Sequence, residues 1–183
     1  MATTKSKKPE ETTENVEESA LKELFVDELK DIYWAEKHLS KALVKLAKAA
    51  TSDELRTALE THKTETDNQV ARLEQVFELV EEKASAKKCD AMAGLIEESE
   101  GIVEDTEDGS LTRDVGIISA AQKSEHYEIA SYGTLRTLAN TLGYNEAAQL
   151  LDETLAEEKK TDELLTQLAE SLINPSAKNE KAK

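Results

Sequence analysis

A chain of 183 residues with 38% apolar residues can bury one core, and 6 Gly with 2 Pro leave too little punctuation for a many-turned sheet protein. The 39 acids against 23 bases give a net charge of −16, which repels phosphate backbones and anionic lipid, so neither nucleic acid nor a membrane surface is an expected partner. A single cysteine, Cys89, cannot close an internal disulfide, and neither a signal peptide nor a membrane span is legible, so a cytoplasmic protein is expected.

Residues 1–18 are polar and aperiodic, and a disordered N-terminal tail is expected there. From about 19 to 50 the helical period places Leu21, Phe25, Ile32, Ala35, Leu39, Ala42 and Leu46 on one face, and the turn Thr51-Ser52-Asp53 follows. A second helix, about 54 to 83, repeats the pattern with Leu55, Leu59, Leu73, Val76 and Val80. Asp90 is the expected cap of a shorter piece, AMAGLIEESEGIVEDTE, which must cross to the next helix through the turn at Asp108-Gly109. That helix, about 112 to 142, carries Ile118, Ala121, Tyr132, Leu135, Ala139 and Leu142 and stops at Gly143. The last helix starts at Asn145, carries Leu151, Leu155, Leu165, Ala169 and Leu172, and is expected to end at Asn174-Pro175 before a disordered tail over 174–183. Two tight hairpins joined by one long connection predict an all-α, ferritin-like four-helix bundle with an extra short crossover helix, spanning 19–173.

Each apolar stripe is interrupted once by polar residues. On the second helix the seam positions between Leu59 and Leu73 are His62, Thr66 and Gln69, with Glu65 at the edge of the arc. The third long helix offers Glu125 and Glu128, the fourth Glu158 and Asp162, and the first Glu36, with Glu28 also inward but farther along. Residues equidistant from a tight turn sit side by side in an antiparallel hairpin. Reflecting Glu36 about residue 51 gives position 66, and reflecting Glu125 and Glu128 about residue 144 gives 163 and 160. The interruptions therefore fall at matched depth and predict one internal polar layer. Inward carboxylates with an imidazole point to hard or borderline metal ions, which supply the positive charge that buried glutamates lack. The same acids pairing with Lys, sharing protons or lining a dimer groove is the alternative.

The stretches LKDIYWAEKHLSKAL, KCDAMAGLIEE, EHYEIASYGTL and LGYNEAAQLLDETLAEEKKTD resemble the YciF/YciE family of bacterial stress proteins, over about residues 21–172. The resemblance implies a ferritin-like bundle, a homodimer, induction under osmotic, bile or general stress, and kinship with rubrerythrin, bacterioferritin and manganese catalase. Those relatives place Glu-x-x-His on two helices, whereas this chain has His62-x-x-Glu65 and Glu158-x-x-Thr161. The expected centre is a carboxylate-rich pair of iron or manganese ions acting on peroxide or oxygen. Glu65 with Glu128 or Glu158 would bridge, Glu36, Glu125 and Asp162 would be terminal, and His62 would supply nitrogen. A protective or structural dimer whose polar layer only fixes helix pairing is the competing expectation. Tyr33 and Trp34 are expected to pack, His38 and His126 to leave the seam, and Cys89 to act as a small buried apolar residue.

Overall fold

The computed structural model describes residues 19–181; the tail expected over 1–18 lies outside the described residues. The long helices are α1 (Ala20–Ala49), α2 (Asp53–Leu79), α4 (Leu111–Leu142) and α5 (Asn145–Leu168), with α3 (Asp90–Asp105) in the crossover. A π-helical turn, Ala169–Ile173, and a short α6 (Asn174–Ala177) complete the chain. No strand occurs among the described residues, and the fold is a ferritin-like four-helix bundle with a crossover helix.

Local chemistry explains the boundaries. Ser19, Ser52 and Ser110 accept hydrogen bonds from the backbone amides of Lys22, Leu55 and Arg113 and so cap α1, α2 and α4. Gly143 closes α4 at φ 85°, a left-handed conformation that costs glycine little. α2 stops four residues before the expected position 83, because Glu81 takes φ 59° and the Glu82 amide folds back onto Phe77 O at 2.9 Å. An extended segment then runs along α1, pinned by the Lys87 amide on Lys30 O at 3.0 Å.

Cys89, not Asp90, caps α3. Its buried Sγ accepts from the Met92 amide at 3.2 Å and lies 3.1 Å from the Tyr127 hydroxyl, which itself donates to Asp31 Oδ2 at 2.5 Å. With the phenol proton committed to Asp31, the thiol is left to donate to the phenol oxygen. Burial pushes the thiol pKa up. The expectation of a merely apolar Cys89 therefore gives way to a polar latch joining α1, α3 and α4.

The chain also stays helical past Asn174-Pro175. The Asn174 amide bonds to Ala169 O in a widened turn, and Pro175 falls in the first turn of α6, where a missing N–H is harmless. Farther on, the Glu180 carboxylate accepts from the Leu111 and Thr112 amides at 2.7 and 2.8 Å, so this segment folds onto the start of α4.

α4 and α5 form one hairpin, α1 and α2 the other, and α3 lies over α4 and α1. Phe25, Leu29, Ile32, Leu43, Leu55, Leu59, Leu73, Phe77, Ile117 and Leu135 are fully buried between them. Leu21 and Leu172, at the outer ends of the expected stripes, are exposed. Asp114 on α4 ties the hairpins together: it is fully buried and accepts from the Thr51 and Ser52 amides, each at 2.7 Å. Removing this acceptor strands two amides at the α1–α2 turn. Asp114→Ala is expected to cost about 2–4 kcal/mol in urea unfolding. Asp114→Asn should lose less, because its remaining oxygen still accepts from one amide while its NH2 strands the other. A loss under about 0.5 kcal/mol in both would show that the tie does not hold the turn.

Candidate metal centre

Glu36 on α1, His62, Thr66 and Gln69 on α2, Glu125 and Glu128 on α4, and Glu158 on α5 all face the bundle axis and are buried. The three-residue step from Glu125 to Glu128 keeps both on one face, and the seven-residue step from His62 to Gln69 does the same on α2. Fully buried Leu59 and Leu73 flank the layer along α2.

Ligand-type atoms of His62, Glu125, Glu128 and Glu158 all lie within 4.8 Å of one another. His62 Nε2 is 3.0 Å from Glu125 Oε1, yet the pair lacks hydrogen-bond alignment, and both atoms are without a partner. Glu36 completes the layer from α1, where the Tyr132 hydroxyl donates to its Oε1. Gln69 Nε2 donates to Glu158 Oε1 and, at 3.1 Å, to Glu157 Oε2. Each donor engages one oxygen of its carboxyl. Glu36 Oε2, Glu158 Oε2, both oxygens of Glu125 and Glu128, and both ring nitrogens of His62 remain unpaired.

Burial is the largest cause raising the pKa of Glu36, Glu128 and Glu158 well above the ordinary carboxyl value, and mutual repulsion adds to it. Glu125 is pushed up to about 8, again chiefly by burial. Burial and the neighbouring Glu36 likewise raise Tyr132, which keeps the phenol a neutral donor. No Lys or Arg among the described residues forms an ion pair with these four acids; the nearby Arg72 is engaged by Glu157 at 2.8 Å and Glu153 at 3.6 Å. Pairing with lysine and exposure in a groove are thus both removed as explanations. Shared protons or bound cations are what remain.

The donor set suits a hard cation, with many carboxylate oxygens and one imidazole nitrogen. One feature departs from well-supported metal sites: His62 Nδ1 has no acceptor to fix the ring.

Two of the seven expected ligands sit at the edge. Asp162 has a side chain 23% exposed, accepts from Gln122 Nε2 at 3.0 Å and lies 3.4 Å from His126 Nε2. Glu65 is also partly exposed. Both raise the pKa of Glu125 through their charge, so they lie near the layer without being part of the close group. Glu28 is exposed. Tyr132, expected only as a stripe residue, is instead a donor to a site carboxyl. The signal was its hydroxyl, which must find an acceptor once buried, four residues after Glu128.

Residues 20–178 match the family described as a domain of unknown function, DUF892. Protein YciF of Escherichia coli K12 is 50% identical over 160 residues, covering 87% of this chain and 96% of that protein. The crystal structure of the E. coli stress protein YciF superposes with a TM-score of 0.81 at 49% identity, covering 86% of this chain and 99% of that one. YcfI of Rhodopseudomonas palustris, described provisionally as a structural protein, gives 0.78 at 36% identity over 84% of this chain and 96% of its own. Sequence and fold thus agree, and the chain belongs to the DUF892 family as a YciF-like protein.

Proposed function

We propose that this YciF-like stress protein binds a pair of iron or manganese ions in its buried layer, held by Glu36, His62, Glu125, Glu128 and Glu158. The observation that carries the reading is the set of buried carboxylate oxygens without a donor, with one imidazole and no Lys or Arg of the described residues among them. Four carboxylates are neutralised by two divalent ions, whereas a single ion leaves excess negative charge in an apolar bundle. An oxygen-rich set with one nitrogen favours manganous or ferrous ions over softer metals.

Tyr132 and Gln69 orient Glu36 and Glu158 by engaging Oε1 and leaving Oε2 free. Leu59 and Leu73 exclude water along α2. A redox-active ion pair supplies two electrons and a template for two oxygen atoms, which is the requirement for chemistry on peroxide or dioxygen. The proposal extends to a cytoplasmic homodimer, supported by the sequence resemblance and by the exposed Leu21 and Leu24 on α1. No described helix is long and apolar enough to cross a membrane.

A structural role is the second reading, favoured by the description of the Rhodopseudomonas relative. In it the acids share protons, and the layer only fixes helix register.

Protein purified without chelator and loaded anaerobically with ferrous or manganous ion should retain about two ions per chain and melt at higher temperature in proportion to occupancy. Absence of bound metal by elemental analysis would remove the metal reading. Loaded protein should then consume peroxide or oxidise ferrous ion at a rate that disappears in Glu128→Ala. Metal binding with no turnover of either leaves the structural role standing.

The metal-free protein provides a separate check. Glu125 has a folded pKa of about 8 against an ordinary 4.5, so between those values the folded state holds more protons than the unfolded state, and stability falls as pH rises. Glu36, Glu128 and Glu158 act in the same direction. Glu125→Leu with Glu128→Leu should exceed the metal-free parent by about 1–4 kcal/mol near pH 8, and the gap should narrow toward pH 5. The double variant should gain no stability from metal. A double variant less stable than the parent at pH 8 would show that protein partners already satisfy the acids.

A further inference from the structure

The register of α2 against α5 places two partly exposed carboxylates at one edge of the buried layer. Gln69 and Arg72 on α2 meet Thr154, Glu157 and Glu158 on α5 in antiparallel order. One turn earlier on α2, Glu65 therefore stands opposite Thr161 and Asp162. α4 closes the third side, with Gln122 donating to Asp162 at 3.0 Å.

Behind these two carboxylates lies Glu125, fully buried, with neither carboxyl oxygen accepting from an N–H or O–H donor of the described residues. Glu65 makes no hydrogen bond or ion pair among the described residues. The charges of Asp162 and Glu65 both raise the Glu125 pKa. The continuation of the same seam is different. Arg72 fills it, bonded to Thr154 at 2.7 Å and to Glu157 at 2.8 and 2.9 Å, and repels cations.

We propose that Glu65 and Asp162 form a capture site for hydrated divalent cations, which passes them to Glu125 and is not part of the final ligand set. Carboxylates at partial exposure retain enough water contact to bind a hydrated ion weakly and release it. The fully buried acids behind them strip the hydration shell and hold the ion. Capture by a focused negative potential raises the rate of arrival more than the final affinity, and salt screens it. The inference rests on the reading of the buried layer as a metal centre.

Cobaltous ion is the probe, followed by its visible absorption in stopped flow at low and at physiological ionic strength. Glu65→Gln with Asp162→Asn should reach the same final occupancy as the parent but at least about fivefold more slowly at low salt, with most of the salt dependence gone. Glu104→Gln with Asp105→Asn, which removes equal charge from the end of α3, should load at the parental rate. The conservative pair Glu65→Asp with Asp162→Glu should restore most of the rate.

Equal rates in parent and Glu65/Asp162 variant would overturn the capture site alone, as would an equal slowing in the α3 control. Lower final occupancy in the variant would make Glu65 or Asp162 a permanent ligand and also overturn it. A parent that takes up no cobalt removes the metal centre, and the capture site with it.

Discussion

Four carboxyl groups and one imidazole share one buried layer that no Lys or Arg among the described residues enters, and the rest of the molecule is arranged around that cost. A buried ion without a partner is destabilising by several kcal/mol, so the acids must be protonated, matched by cations, or held by strong packing on either side. Long helices meet the requirement for packing. They continue the apolar stripe well beyond the layer in both directions, through Phe25, Leu29, Leu55 and Phe77 at one level or another. The hairpin turns cannot loosen without opening the layer, and a buried aspartate from α4 bonds two amides at the α1–α2 turn.

The two open seams of the bundle are closed by different chemistry. Between α1 and α4 the crossover helix lies across the groove, and its N-terminus is latched through Cys89 and Tyr127 to Asp31. Between α2 and α5 there is no covering helix, and Arg72 with Glu157 and Glu153 fills the gap instead. A guanidinium is well suited to that position because its planar fork engages Glu157 through two nitrogens. It also turns a positive charge toward one stretch of the seam and leaves the adjoining stretch acidic. The electrostatics of the layer are therefore directional although its burial is uniform.

Much of this was legible in the sequence because helical hairpins obey simple geometry. Reflection about residue 144 places Glu125 beside residue 163, in agreement with Gln122 bonding to Asp162 and Thr166, whereas reflection about residue 51 places Glu36 beside Thr66 while the bonds Tyr33–Glu74 and Ser40–Asp67 set α2 about one turn farther along. Level is only one coordinate. The other is rotation about the helix axis, about 100° per residue, so Glu65 is turned roughly 60° from His62 and Asp162 roughly 40° from Glu158. Such angles separate the interior from the edge, and single-helix periodicity does not resolve them. The end of α2 was hidden for another reason. Glu81 adopts a positive φ without glycine or asparagine to announce it. Pro175 misled in the opposite sense, since a proline that stops one helix also begins another.

His62 bears on the two meanings of the layer. If protons alone stabilise it, the acids share them with one another, Glu125 with Glu158 and Glu128 with Glu36, and His62 is left beside Glu125. The atoms are close enough at 3.0 Å, yet they are not aligned, and Nε2 and Oε1 both remain unpaired. Atoms of Glu128 and Glu158 lie within the same 4.8 Å, so the imidazole and three carboxyls crowd one small volume. One nitrogen and a cluster of oxygens already supply the charge, and the missing acceptor on Nδ1 makes the imidazole the least firmly held member of the set. Tyr132 and Gln69 orient the carboxyls of Glu36 and Glu158 in that layer, whatever neutralises them.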